Sequence, residues 1–116
     1  MAGTEVVRHV AADAAGVALL LSGPAAYDLW PQADDTTMTA RAPMRSGIGF
    51  VVDLSVDDDT LGAVRARVAI TPAGGATTSL RLSASAAEAS EGALRERAAR
   101  FLDALARQAQ ARSSAA

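Results

Sequence analysis

Few residues of this chain could do chemistry on their own. His9 is the single histidine, so any acid–base or metal mechanism needing an imidazole must use it. It stands in a strand-like run beside Arg8, the setting of an edge or packed histidine rather than a general base. Cysteine is absent, which removes disulfides, thiolate nucleophiles and sulfur-ligated metals together. Asp57-Asp58-Asp59 imitates the start of a calcium loop, but the alternating acidic ligands, central glycine and closing glutamate of that motif are missing. A hairpin turn is the better reading. Gly47-Ile48-Gly49 and Gly74-Gly75 lack the strand-to-helix setting and the lysine of a phosphate loop, so they read as bend and turn. No serine is framed by glycines as a nucleophile. No catalytic residue, metal ligand or cofactor is therefore assigned.

The remaining distinctive side chains are aromatic. Tyr27, Trp30, Phe50 and Phe101 are spread over three predicted elements, and each is large enough to shape an internal space. Core filling is the commoner role for any one of them.

The elements that would position these residues follow from hydrophobic periodicity. Residues 4–10 form a first strand with Val6 and Val10 on one face. Asp13 offers an N-cap to a helix from Ala14 to Leu21, which Ser22-Gly23-Pro24 ends. A second short helix is predicted from Pro24 to Trp30, closed by Pro31. Residues 36–42 read as a modest strand, with Met38, Ala40 and Ala42 on one side. The clearest strand places Ile48, Phe50, Val52, Leu54 and Val56 on one face. Its antiparallel partner carries Val64, Ala66, Val68 and Ile70 against Arg65, Arg67 and Thr71. The next strand carries Leu80, Leu82 and Ala84 against Ser79, Arg81 and Ser83. Ser85 and Ser90 are both candidate N-caps for a final helix over 91–112, Ser85 with Glu88 forming a capping box. On that helix Leu94, Ala98, Phe101, Leu102, Leu105 and Ala109 share one face. Glu96 with Arg100 and Asp103 with Arg107 are i,i+4 pairs of its outer face.

The reading is thus an α+β domain over residues 1–112 with a frayed tail at 113–116: a curved antiparallel sheet of about five strands gripping a long C-terminal helix, with two short helices after the first strand. A chain of 116 residues has room for one core. Half its residues are hydrophobic, but 29 of those are alanine, so large side chains are scarce. All 11 basic residues are arginine, which together with the alanine excess points to a high-GC bacterial genome. Net charge is −2 and the arginines are scattered, so no concentrated basic surface suits a nucleic acid. The longest apolar run, Ala14 to Leu21, is far short of the ~20 residues that cross a bilayer, and no basic segment precedes an apolar run at the start. No membrane insertion and a cytoplasmic location are expected.

Val6 to Val10, Ala11-Ala12-Asp13, the run Val17 to Pro24, then Tyr27 and Trp30-Pro31, resemble the opening of the START-like or polyketide-cyclase (SRPBCC) superfamily, the helix-grip fold. Leu94 to Leu105, with Arg100-Phe101-Leu102 at its centre, is similar to that family's gripping helix. The family usually has seven strands in a longer chain, so one hairpin after Trp30 reads as shortened or lost. The resemblance implies binding of lipids, polyketides or other hydrophobic molecules, with some members acting as cyclases or regulating protein partners. It carries over no catalytic residue, because the family shares a shape and not an active-site motif.

Three functions follow in order. The first is a non-catalytic binding module for a small apolar, lipid- or polyketide-like ligand held between sheet and last helix. Trp30, Phe50, Val52, Leu54, Leu80, Leu82, Leu94, Phe101 and Leu105 are its candidate lining residues. An alanine-rich helix against an aliphatic sheet is under-filled by volume, which a ligand or a second subunit would correct. The second is a homodimeric interaction domain without ligand, whose shortened sheet pairs at an edge, with the strand from Gly47 to Val56 or its neighbour near Met38 at or beside the interface. A cyclase-like enzyme is third.

Overall fold

The computed structural model describes residues 2–23, 29–30, 37–58 and 60–115, with side chains up to residue 112. Within them the chain runs β1 (Ala2–Val10), α1 (Ala14–Ser22), β2 (Thr37–Ala40), β3 (Met44–Ser46), β4 (Gly49–Asp58), β5 (Gly62–Pro72), β6 (Thr78–Ala86) and α2 (Glu91–Ala115). One curved antiparallel sheet has the order β1-β6-β5-β4-β2, with β3 also on β4. This is the α+β helix-grip arrangement expected.

The sheet has six strands where the periodicity showed five. β2 ends at Ala40 opposite Leu54, and β3 begins at Met44 opposite Val51. Residues 41–43 therefore face Val52 and Asp53 alone, one residue too many, so β2 and β3 are a single edge strand broken by a bulge. Pro43 stands in it, where a proline costs no ladder bond. Arg41 keeps the ladder, its N–H donating to the Asp53 carbonyl at 2.9 Å. β3 escaped the sequence reading because its residues are exposed and carry no alternation.

Local chemistry explains most boundaries. Asp13 caps α1, its carboxylate accepting from the Gly16 N–H at 3.2 Å. Gly23 closes α1 in an extended conformation (φ −93°, ψ 169°), as expected for a residue preceding a proline. The helix predicted over 24–30 falls mostly outside the described residues; Leu29 and Trp30 are in a turn and a bend. Ser90 caps α2, its hydroxyl accepting from the Ala93 N–H at 3.2 Å. Ser85 is no cap, because β6 extends to Ala86 and pairs Ser85 with Arg65. Ile48 lies outside β4 and is 74% exposed, in the turn that joins β3 to β4. Ala42 is also exposed, beyond the end of β2.

The core lies between the sheet's inner face and the two helices. α2 packs on β1 and β6, while α1 covers β4 and β5 and touches α2. Leu94, Ala98, Phe101, Leu102, Leu105 and Ala109 are buried along α2, as its stripe predicts. Its outer face departs from expectation at two positions. Glu96 does pair with Arg100 at 2.9 Å, but Asp103 turns to Arg8 of β1, accepting from Nε at 2.7 Å. Arg97 is drawn inward to Asp58.

Candidate functional site: the interface between sheet and helices

Each wall of this interface comes from an alternation. Along β4, Val52, Leu54 and Val56 point inward; β5 adds Val64, Ala66, Val68 and Ile70, and β6 adds Leu80, Leu82 and Ala84. The helices answer with Val17, Leu20 and Leu21 of α1 and the apolar stripe of α2.

The nine predicted lining residues all belong to this one layer, and the structure divides them between two roofs. Leu80 and Leu82 lie on β6, a strand that α2 packs against; Phe50, Val52 and Leu54 lie on β4, which α1 covers. Trp30 stacks on Phe101, ring centroids 5.6 Å apart at 44°, a tilted geometry that suits the ring quadrupoles. Phe50 is the exception in burial. It is half-exposed, with the Arg45 guanidinium 5.6 Å above its ring. The other eight are no more than 2% exposed, so any molecule entering must part the layer.

A polar group at the end of the layer was not foreseen. Asp58, read as part of a turn, has a side chain with no solvent exposure. One carboxylate oxygen accepts from the Thr60 N–H at 2.8 Å and the Leu61 N–H at 3.0 Å, closing the β4–β5 turn. Gly62 completes that turn at φ +76°, a conformation that disfavours other residues. The other oxygen accepts from Trp30 Nε1 at 3.0 Å and from Arg97 Nη1 at 3.3 Å. Burial alone would raise the pKa of Asp58. The bonds from Trp30, Leu61 and Thr60, with the charge of Arg97, outweigh that and hold it below the ordinary aspartate value. A signal did exist in the sequence: the middle acid of Asp57-Asp58-Asp59 falls at an inward position of β4, where a carboxylate must find partners. Its partners are distant in sequence, which is why they could not be named.

The other functional candidates are placed plainly. His9 is exposed on β1, an edge strand. Tyr27 lies outside the described residues. Among the described residues no three or more His, Asp or Glu side chains are grouped to hold a metal, and no helix is long and apolar enough to cross a membrane.

With this geometry in hand, solved structures offer a comparison. A START superfamily protein from Mycobacterium smegmatis superposes with a TM-score of 0.63 at 15% identity, covering 97% of each chain. StfQ, a di-domain ARO/CYC of the steffimycin biosynthetic pathway, gives 0.60 at 15% identity; the match covers 96% of this chain and 46% of StfQ. DynU16, encoded in the dynemicin biosynthetic locus, gives 0.65 at 14% identity, over 92% of this chain and 46% of its own. The chain has the START-like, polyketide-cyclase fold. It spans about half the length of those last two proteins. No family model and no curated protein matches the sequence. The START-like likeness therefore rests on shape alone.

Proposed function

We propose that this START-like domain binds a small apolar molecule, lipid- or polyketide-like, between the inner face of the sheet and α2, with α1 as a side wall. The observation that supports it most is the continuity of the apolar layer: one uninterrupted surface runs from Val52 and Leu54 across Leu82 and Leu80 to Leu94, Phe101 and Leu105. Alanines at 66, 84, 98 and 109 on both walls let the facing large side chains be displaced without meeting another large one. Binding is by opening, since the layer is closed in this state.

Trp30 is the single tryptophan and lies in the site, so its emission reports on it alone. Titration with palmitate and with a tetracyclic aromatic polyketide, paired with native mass spectrometry of purified protein, tests the reading. A saturable change in Trp30 emission with a 1:1 mass adduct is expected for at least one ligand. No adduct and an unchanged emission with both would sink it.

The second reading, a homodimeric interaction domain, is favoured by the sheet's margin. β4 is flanked on both sides, so its backbone groups are paired; β1 forms one edge of the sheet, and the edge beside β4 belongs to β2 and β3. Beside it Met44 is 51% and Ile48 74% exposed. Sedimentation equilibrium separates the two: a ligand-free dimer supports interaction, and a fixed mass of 11.8 kDa into the high-micromolar range refutes it.

A further inference from the structure

The outer face of the same sheet carries a second feature, independent of the apolar layer. A concavity of about 510 Å³ opens there, lined by Arg41, Arg65, Arg67, Asp53, Ser55, Ser83 and Ser85, among others. That is a volume suited to a small molecule rather than to a single ion. The ladder fixes its layout. Arg65 stands between Ser55 on β4 and Ser85 on β6, and Arg67 between Asp53 and Ser83. Arg65 and Arg67 are two residues apart on one strand, hence about 7 Å apart on the same face. Arg41 is held at the edge by the bulge described above, its backbone bonded to Asp53.

The charges are unequal. Asp53 is engaged by Arg67 through two bonds of 2.7 and 3.2 Å. Among the described residues neither Arg41 nor Arg65 stands within ion-pair distance of an acid, although the charge of Arg41 also acts on Asp53. Of the described acids outside the lining, Glu5 faces Arg81 at 3.6 Å, and Asp57 lies two residues beyond Ser55 on β4, opposite Thr37 and Ala63. Three guanidinium groups against one carboxylate leave two positive charges. Three serine hydroxyls around them supply further donors and no charge.

We infer that this groove binds the phosphate group of a small phosphate monoester, with Arg41 and Arg65 as its charged donors and Ser55, Ser83 and Ser85 as neutral ones. A monoester carries about −1.5 to −2 charges at pH 7, matching the surplus of the lining, and its three terminal oxygens can accept from more than one of these donors at once. A carboxylate has one charge and would leave half the surplus unanswered. Arg67 plays a different part: fastened to Asp53, it holds the wall, and its charge is answered by that carboxylate.

The test uses isotope-labelled protein titrated with inorganic phosphate and with phenyl phosphate, each against sodium chloride at equal ionic strength. Saturable shifts are expected at the amides of Ser55, Arg65, Ser83 and Ser85 and at the Nε–H signals of Arg41 and Arg65, with a Kd of about 1 mM or tighter. Phenyl phosphate is expected to bind at least as tightly as the inorganic ion, and Trp30 emission to stay unchanged. Arg41→Ser and Arg65→Ser each remove a charge-assisted donor and are expected to weaken binding by about tenfold. Both side chains are exposed and without ion-pair partners, so the variants keep the wild-type fold, which the rest of the spectrum verifies. Arg95→Ser, on the exposed face of α2, is expected to change nothing. Shifts that follow ionic strength alike in phosphate and chloride, or that survive in the double variant, would mean charge screening only and overturn the proposal. So would inorganic phosphate binding that phenyl phosphate cannot match.

Discussion

Replacing Asp58 by alanine tests whether the buried carboxylate is a structural clasp. Its four donors lose their acceptor at once, but they do not suffer equally. Thr60 is exposed, so its N–H is rehydrated, and the Arg97 side chain keeps 24% exposure, enough to reach water. Leu61 at 3% and Trp30 at 1% exposure have no such recourse. Two buried donors are thus orphaned at about 1–3 kcal/mol each, which puts the loss near 3 kcal/mol, in line with breaking one side of a buried pair. For a domain of this size each kcal/mol is worth about 4 °C, so Tm falls by roughly 12 °C. Urea denaturation followed by far-UV circular dichroism gives the free energy, and differential scanning calorimetry the Tm. Trp30→Phe keeps an aromatic ring near Phe101 but removes the indole donor and leaves a cavity at a buried position, with an expected loss of about 2 kcal/mol. The double variant should cost less than the two single losses added, because the indole bond is counted in both. A loss below about 1 kcal/mol for Asp58→Ala, or strict additivity in the cycle, would refute the clasp.

Other consequences are simpler. Because the folded-state pKa of Asp58 is depressed, the unfolded chain takes up its proton first as pH falls below the ordinary value of 3.8; the stabilisation is complete above that pH and is lost as pH drops through the folded value. Acid titration of Tm should therefore fall more steeply in wild type than in Asp58→Asn, and parallel curves would contradict this. Phe101→Asp puts an unpaired charge at a position with no exposure and should abolish the folded circular-dichroism and amide spectra; a folded variant would show that the layer tolerates polar groups. Gly49→Ala drives a Cβ into the Ile70 carbonyl oxygen, so β4 and β5 must separate locally, at an expected loss of about 2 kcal/mol or more by urea denaturation; an unchanged midpoint would count against that contact. Arg8→Ala removes a half-exposed ion pair with Asp103 and should cost less than about 1 kcal/mol, shrinking further in high salt.

What could be read from the sequence was whatever repeats along it. The alternations of β4, β5 and β6 and the stripe of α2 each involve several residues at a fixed period, so a single polar intruder does not hide them. Capping by Asp13 and Ser90 was legible for the related reason that cap and partner are three residues apart. Ser85 shows the limit: its spacing to Glu88 suits a cap, yet pairing with both Arg65 and β1 keeps it in the sheet, and tertiary pairing wins over a local signal. The same holds for Asp103, whose local partner Arg107 loses to Arg8, 95 residues away. β3 was missed because an exposed three-residue strand has no face to bury. The nine candidate side chains fall in or against one apolar layer, but its closure could not be foreseen, since periodicity says which way a side chain points and not how near the opposite wall stands.

That closure and the two polar ties bear on each other. α2 is fastened to the sheet at separated points: Arg97 joins it to the β4–β5 turn through Asp58, and Asp103 joins it to β1 through Arg8. The two residues lie six positions apart on the helix, under two turns, and reach opposite sides of the sheet. Between them sits Phe101, carrying Trp30, which Asp58 also holds. The ties differ in strength. The Asp58 group is buried and shares four donors, so breaking it strands several groups at once, whereas the Arg8 pair is half in water and can exchange its partner for solvent at little cost. The Asp58 group is therefore the stronger of the two polar ties, and along β1 it is the apolar packing of α2, more than the Arg8 pair, that holds helix to sheet.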